Sequence, residues 1–219
     1  MKDLQAIRGT TILRRMVAEG EHERQDFKFA ISDARKIARS LSAFANHSGG
    51  RLLIGVKDNG VIAGVRNEED IYVVEQAAER YCRPPQRITF KAYRLEGSVR
   101  VIVAEIAASD VRPVSVDEGA GLLKAYYRVA DENIAATPMM MRAWQLASDP
   151  EAAPLDSRHY SLAAIFDSLD VRLDEQQISL RLHLSVADTC EMIARLAAAG
   201  VLRFVHDSAG RFLVAAAEA

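Results

Sequence analysis

The stretch Ala43-Phe44-Ala45-Asn46-His47-Ser48-Gly49-Gly50-Arg51-Leu52-Leu53-Ile54-Gly55-Val56-Lys57-Asp58-Asn59-Gly60 decides the fold class. Its first residues close a helical pattern. Ala34, Ile37, Ala38, Leu41, Phe44 and Ala45 recur at the spacing of one apolar helix face, and Ser32 stands where an N-cap is expected. Gly49-Gly50 stops that helix, because glycine enters the positive-φ conformation of a helix end without steric cost. Arg51 to Lys57 reads as a buried strand, and Asp58-Asn59-Gly60 is a hairpin-turn signal ahead of Val61-Ile62-Ala63-Gly64.

Upstream, Gln25-Asp26-Phe27-Lys28-Phe29 alternates, placing Asp26 and Lys28 on one strand face and Gln25, Phe27 and Phe29 on the other. Leu4, Ile7, Ile12, Leu13, Met16 and Val17 fit a helical stripe that Gly20 caps. Downstream, the spacing predicts a helix from Glu68 to Tyr81, ended by Pro84-Pro85. A hairpin of Ile88–Leu95 and Val99–Ile106 follows around Glu96-Gly97-Ser98, then a strand Ala125–Val129 and a helix Pro138–Ala147. The Gly-rich Val116–Leu122 reads as a loop or long turn. Neighbouring strands with helices on one side give an α+β fold, a mixed sheet with helices.

Ser148-Asp149-Pro150-Glu151-Ala152-Ala153-Pro154-Leu155-Asp156-Ser157 interrupts every periodic pattern, so the chain divides into a domain 1–147, a linker 148–157 and a domain 158–219. The last part orders as helix, helix, helix and hairpin. Leu162, Ile165, Phe166 and Leu169 mark the first helix, and Ile178 to Leu184 the second. A third is capped by Ser185, and two strands flank Asp207-Ser208-Ala209-Gly210. That order is a C-terminal winged helix-turn-helix. Its presumed recognition helix, Ser185–Ala199, carries Arg195 against Asp188 and Glu191, so dimerisation competes with base reading as its role.

The 219 residues are 49% apolar and 26% charged with a formal net charge of −2, an ordinary globular composition that excludes disorder and coiled coil. Charge is uneven: residues 1–150 hold 22 Lys+Arg against 20 Asp+Glu, and residues 151–219 hold 6 against 10. Cys82 and Cys190 form no CxxC or Cys/His cluster, so neither a disulfide framework nor a cysteine zinc site is expected. A charged N-terminus without an apolar run and the lack of any long uncharged stretch predict a cytoplasmic protein with no membrane span. Gly50 and Gly55 have the glycine interval of a P-loop but are followed by Val56-Lys57-Asp58, out of step and without the Mg²⁺-binding hydroxyl. The five histidines make no metal-ligand spacing.

At ~100° per residue, Arg35, Arg39, Ser42 and Asn46 lie in one narrow helical sector with Lys36 beside it. With Arg24, Lys28 and Arg51 they form a candidate phosphate-binding patch, weighed against an ordinary solvated helix face. Arg80, Arg83, Arg87, Lys91 and Arg94 make a second basic group.

Three segments together resemble a known family. Gly20-Glu21-His22-Glu23-Arg24-Gln25-Asp26-Phe27-Lys28 is similar to the opening acidic strand of the Schlafen/Alba-like domain, and Ala43–Gly60 to its most characteristic segment. Arg112-Pro113-Val114 with Tyr127-Arg128-Val129-Ala130-Asp131-Glu132-Asn133 resembles its closing strands. The resemblance covers about residues 19–147 and implies a DNA-binding module of the kind found beside winged helices in bacterial regulators. It predicts a nucleic-acid-binding transcriptional regulator, DNA favoured, with no cofactor and with a homodimer as one arrangement. It also implies an alternative, a Mg²⁺- or Mn²⁺-dependent nuclease acting on RNA or DNA. Glu21, Asp26 and Asp58 match the acidic, metal-holding positions of the Schlafen nucleases, with Lys28 as the cation. Asp26 departs from the pattern by standing where glutamate is usual, and Glu21, five residues away, needs an irregular strand start to join it.

Overall fold

The computed structural model describes residues 7–65, 69–95, 99–149, 154–167, 171–207 and 211–217. They form two units, Met1–Ala136 and Thr137–Ala219. In chain order the first holds β1 (Ile7–Arg8), α1 (Thr10–Ala18), β2 (Gln25–Lys28), α2 (Ala34–Asn46), β3 (Gly50–Ile54) and α3 (Glu69–Gln76). After α3 come a π turn (Ala77–Tyr81), β4 (Cys82–Arg83), β5 (Ile88–Arg94), β6 (Arg100–Ile106), β7 (Ser115–Gly119), β8 (Leu122–Val129) and β9 (Glu132–Ala135).

The helix-to-hairpin segment folds as its residues dictate. Gly49 takes φ +74°, and its N–H joins that of His47 on the Phe44 carbonyl, at 2.9 and 3.1 Å, so the chain turns straight from α2 into β3. The N-cap of α2 is Asp33 rather than Ser32. Its carboxylate accepts from the backbone N–H of Arg35 and Lys36, a better match to the positive helix end than a hydroxyl.

One sheet runs in the order β1-β5-β6-β3-β2, parallel at both outer pairs and antiparallel inside. Strand alternation sorts its residues between two cores. Leu52, Ile54, Ile102, Ala104 and Ile106 face the side of α2 and α3, while Phe27, Leu53, Val101 and Val103 face Leu13 of α1. Each fully buried Leu, Ile, Val or Phe among them contributes roughly 1.5–3 kcal/mol. A second sheet, β4-β7-β8-β9, adds Val116 and Tyr126 to the α2 core.

Several expectations are corrected. Ile7 and Arg8 are not helical; they pair in parallel with Tyr93 and Arg94. Val116–Leu122 is not a loop but most of an antiparallel hairpin, irregular where the register shifts between Asp117 and Gly119. Glu132–Ala135 adds a strand that the sequence reading passed over. The helix Pro138–Ala147 leaves the first domain, because Met139, Ala143 and Leu146 pack in the core of the second unit. The division therefore falls at Ala136/Thr137 and not at 148–157. The helix start at Glu68, the turn Glu96–Ser98, the linker centre 150–153, Leu169 and the wing turn Ser208–Gly210 lie outside the described residues.

The second unit holds α4 (Pro138–Ala147), α5 (Ser157–Ala163) with a 3₁₀ turn (Ala164–Phe166), α6 (Glu175–Leu182), α7 (Val186–Ala198), β10 (Leu202–His206) and β11 (Phe212–Ala216). Ser185 caps α7 as expected, and His183, at φ +54°, ends α6. Leu162, Phe166, Ile178, Ile193, Leu196 and Val214 form its core. Arg142 of α4 grips Glu191 of α7 through two hydrogen bonds of 2.9 and 3.0 Å. Among the described residues no helix is long and apolar enough to cross a membrane.

Candidate functional site

The carboxylates expected near β2 meet there in part. His22 and Gln25 exchange two 3.0 Å backbone hydrogen bonds, closing a tight turn that supplies the irregular strand start Glu21 requires. Glu21 folds back so that its Oε1 accepts from Phe27 N–H at 2.8 Å, with its carboxyl in hydrogen-bonding reach of Asp26. Lys28 Nζ sits 2.8 Å from Asp26 Oδ2. Burial, and then the neighbouring Asp26, raise the Glu21 carboxyl above its usual value. Asp58 does not join them; it is exposed in the turn after β3.

The same side chains have a structural task. β2 is a sheet edge, and its inner hydrogen bonds run from Arg51 and Gly55 N–H to the carbonyls of Arg24 and Lys28. The backbone groups of Gln25 and Phe27 therefore face outward, where an unpaired edge invites another strand. Each is occupied. Phe27 N–H donates to Glu21, Lys28 Nζ donates to Phe27 O at 2.9 Å, and Arg128 Nη2 donates to Gln25 O at 3.3 Å.

Arg128 is the residue the sequence reading missed here. It is 2% exposed, lies over the Phe44 ring and donates to Asn133 Oδ1 at 2.8 Å, while its Nε has no partner among the described residues. Desolvation lowers its pKa, and Asp26 and Glu21 head the acids that oppose the shift. Asn133 donates to Ser40 Oγ, which in turn donates to Asp26. A signal existed: Arg128 and Asn133 stand at i and i+5 in the segment that resembles the family's closing strands, and a buried arginine needs acids beside it.

These residues do not fit a divalent cation as placed. A hard cation needs several free carboxylate oxygens. Here an ammonium and a backbone N–H already hold Asp26 Oδ2 and Glu21 Oε1, and the third carboxylate stands apart. Among the described residues no three His, Cys, Asp or Glu side chains gather as a metal site would require.

The helical sector Arg35–Asn46 divides along its length. Ser42 and Asn46, expected at a phosphate patch, are 0% and 3% exposed. They splice into the second sheet where the β7–β8 ladder stops. Asn46 accepts from Val114 N–H at 2.7 Å and donates to the carbonyls of Val114 and Tyr126, both at 2.8 Å. Ser42 Oγ donates to Val114 O and accepts from Tyr126 N–H, at 2.7 and 3.0 Å. Two side chains thus satisfy four buried backbone groups, and neither is available to a ligand.

Arg39 is held as a fork by Glu118, at 2.8 and 2.7 Å, and Tyr126 donates its hydroxyl to the same carboxylate at 2.6 Å. Arg39 lowers the Glu118 pKa, while burial and Glu118 push Tyr126 up to about 12. Arg35 and Lys36 remain exposed at the start of α2, the first with its guanidinium 5.1 Å from the Tyr81 ring centroid. At the far end, Arg24 and Arg51 line a cleft of about 630 Å³ with Glu19, His22, Ser48 and Glu105. Arg24 is exposed there, whereas Arg51 is bonded to Glu19 and Gln25. Of the second basic group, Lys91 pairs with Glu105 at 2.7 Å and Arg83 lies 3.7 Å from Asp117.

Two solved structures are similar to this chain. One is the DIP2311 protein from Corynebacterium diphtheriae, at TM-score 0.44 and 19% identity, covering 87% of this chain and 34% of that one. The other is the N-terminal domain of a RecG-related protein from Nitrosomonas europaea, at TM-score 0.39 and 20% identity, covering 70% of this chain and 98% of that one. The chain spans about a third of the Corynebacterium protein. No curated protein matches. The family model Schlafen, AlbA_2 matches residues 21–137, from the carboxylate that folds onto β2 to the last residue before α4. That match covers more than half of the sequence, and the chain belongs to the Schlafen, AlbA_2 family.

Proposed function

We propose that this protein binds nucleic acid, DNA foremost, and acts in the cytoplasm as a transcriptional regulator. The first unit supplies phosphate contacts; the second, read as a winged helix-turn-helix, supplies orientation or dimerisation. Family membership supports the nucleic-acid class. The observation that carries the reading lies at the start of α2. Arg35 and Lys36 are exposed and form no ion pair among the described residues, and Asp33 at the head of the helix is engaged by the N–H groups of both. Exposed cations of this kind release counterions from a phosphate backbone. In the second unit α7 begins with Val186, Ala187 and Asp188, which favours dimerisation over base reading.

Fluorescence anisotropy with a labelled duplex tests this. Affinity falls as salt rises, and Arg35→Ala with Lys36→Ala shallows the slope of log K against log salt by about 1.8. Wild-type affinity and slope in that variant reject the surface. The second reading, a Mg²⁺- or Mn²⁺-dependent nuclease, requires Glu21 and Asp26 to exchange Phe27 N–H and Lys28 for the metal and Asp58 to move in beside them. Labelled RNA and DNA incubated with either metal separate the two. Cleavage abolished by Asp58→Ala supports the enzyme; substrate bound but intact supports the regulator.

A further inference from the structure

The end of the first unit where α2 begins brings together features that a duplex-backbone contact does not need. Helix α3 ends in the π turn Ala77–Tyr81, which packs against α2 and sets the Tyr81 ring beneath the Arg35 guanidinium, 5.1 Å from Cζ to centroid. Gly119 of β7, at φ +94°, lies beside the same guanidinium. A Cβ there would stand 3.3 Å from Arg35 Nη2, so the guanidinium packs against bare backbone. Arg35 is nevertheless exposed. A planar cation is thus fixed in place, which removes most of the entropy cost of using it.

The surroundings are apolar and cationic. Strand alternation puts Leu122 and Lys124 on the same face of β8 as Tyr126, whose hydroxyl meets Glu118 beside Arg39. Leu122 is 50% exposed, and Lys124, Lys36 and Arg80 are exposed. Three acids of this region are engaged within the fold, and Glu79 of the π turn is exposed. Asp33 caps α2, Glu118 takes Arg39 and Tyr126, and Asp117 accepts from Gly119 N–H and lies 3.7 Å from Arg83.

We propose that this tip is a platform for single-stranded nucleic acid. The Arg35 guanidinium, backed by Tyr81, stacks on the face of one unpaired base beside Leu122, and Lys36 and Lys124 hold the flanking phosphates. Base faces are hidden in a duplex and open in a single strand, and a stacked arginine is a surface every base can use. The inference rests on the nucleic-acid reading above and specifies the form of nucleic acid recognised.

The test uses the full chain with a labelled single-stranded oligonucleotide and the same sequence closed into a hairpin duplex. Arg35→Lys keeps the charge and loses the plane. It weakens single-strand binding about tenfold, the scale of one stacked base, and weakens hairpin binding by a clearly smaller factor because the charge is kept. Lys36→Ala with Lys124→Ala reduces the single-strand salt slope by about 1.4. Thermal unfolding at the wild-type midpoint shows that each variant is folded. Equal loss on both substrates, or no loss on either, overturns the platform while leaving nucleic-acid binding intact. A wild-type chain that binds neither substrate overturns the underlying reading as well.

Discussion

Replacing Asn46 by alanine withdraws one acceptor and two donor contacts from the junction of α2 with the second sheet. Val114 O keeps Ser42 Oγ at 2.7 Å, but Val114 N–H and Tyr126 O are left buried without their partners. At roughly 1–3 kcal/mol for each orphaned group, the cost is about 2–4 kcal/mol after partial entry of water. For a unit of this size that lowers the midpoint by roughly 10 °C. Ser42→Ala orphans only Tyr126 N–H and costs about half as much. Hydrogen exchange reads both effects. The slowest amides of β6 report the global loss, and the Val114 amide loses protection beyond it because its acceptor is gone. A residue serving a ligand on the surface behaves in the opposite way. If Asn46→Ala unfolds within about 0.5 kcal/mol of wild type and instead loses nucleic-acid affinity, the splice is wrong.

Two further predictions concern ionisable groups held within the fold. Arg39 lowers the Glu118 pKa, so the pair contributes stability above pH 4.5 that is lost as pH falls through the folded value. Glu118→Gln unfolds at a lower temperature at pH 7 and loses less on acidification, giving a flatter midpoint-against-pH curve; parallel curves refute the pairing. Burial pushes the Cys82 thiol up to about 12. An aromatic disulfide reagent at pH 8 therefore labels Cys82 only at the rate of unfolding, followed by peptide mass spectrometry. Prompt labelling of the native chain refutes its burial.

The sequence was legible wherever a local period carried the information. Alternation placed Asp26 and Lys28 on one face, and their 2.8 Å contact follows from it. The glycine pair after Phe44 marked the end of α2 for a reason intrinsic to glycine, and Ser185 marked the start of α7. What a period does not contain is the identity of whatever covers a face. Arg35, Arg39, Ser42 and Asn46 share one sector, yet the hairpin over its second half lies about 70 residues on in the chain. That hairpin was itself obscured, because the register shift at Asp117–Gly119 breaks the two-residue rhythm and the positive-φ glycines imitate a loop. A two-residue strand such as Ile7–Arg8 has no rhythm at all. The helix Pro138–Ala147 belongs to the second unit although the prolines come after it, because prolines mark breaks in regularity whereas a unit is bounded by which core its apolar residues enter.

The stopper on strand β2 changes how knockouts of this protein are best interpreted. Glu21 and Lys28 are the substitutions an enzymologist would make first, and both also plug outward backbone groups of a terminal strand. Stripping them uncovers a ribbon on which a second molecule can dock side by side. An inert Glu21→Ala preparation therefore signals lost chemistry only after light scattering has shown it to be as monodisperse as its parent; otherwise the inactivity belongs to the clumps.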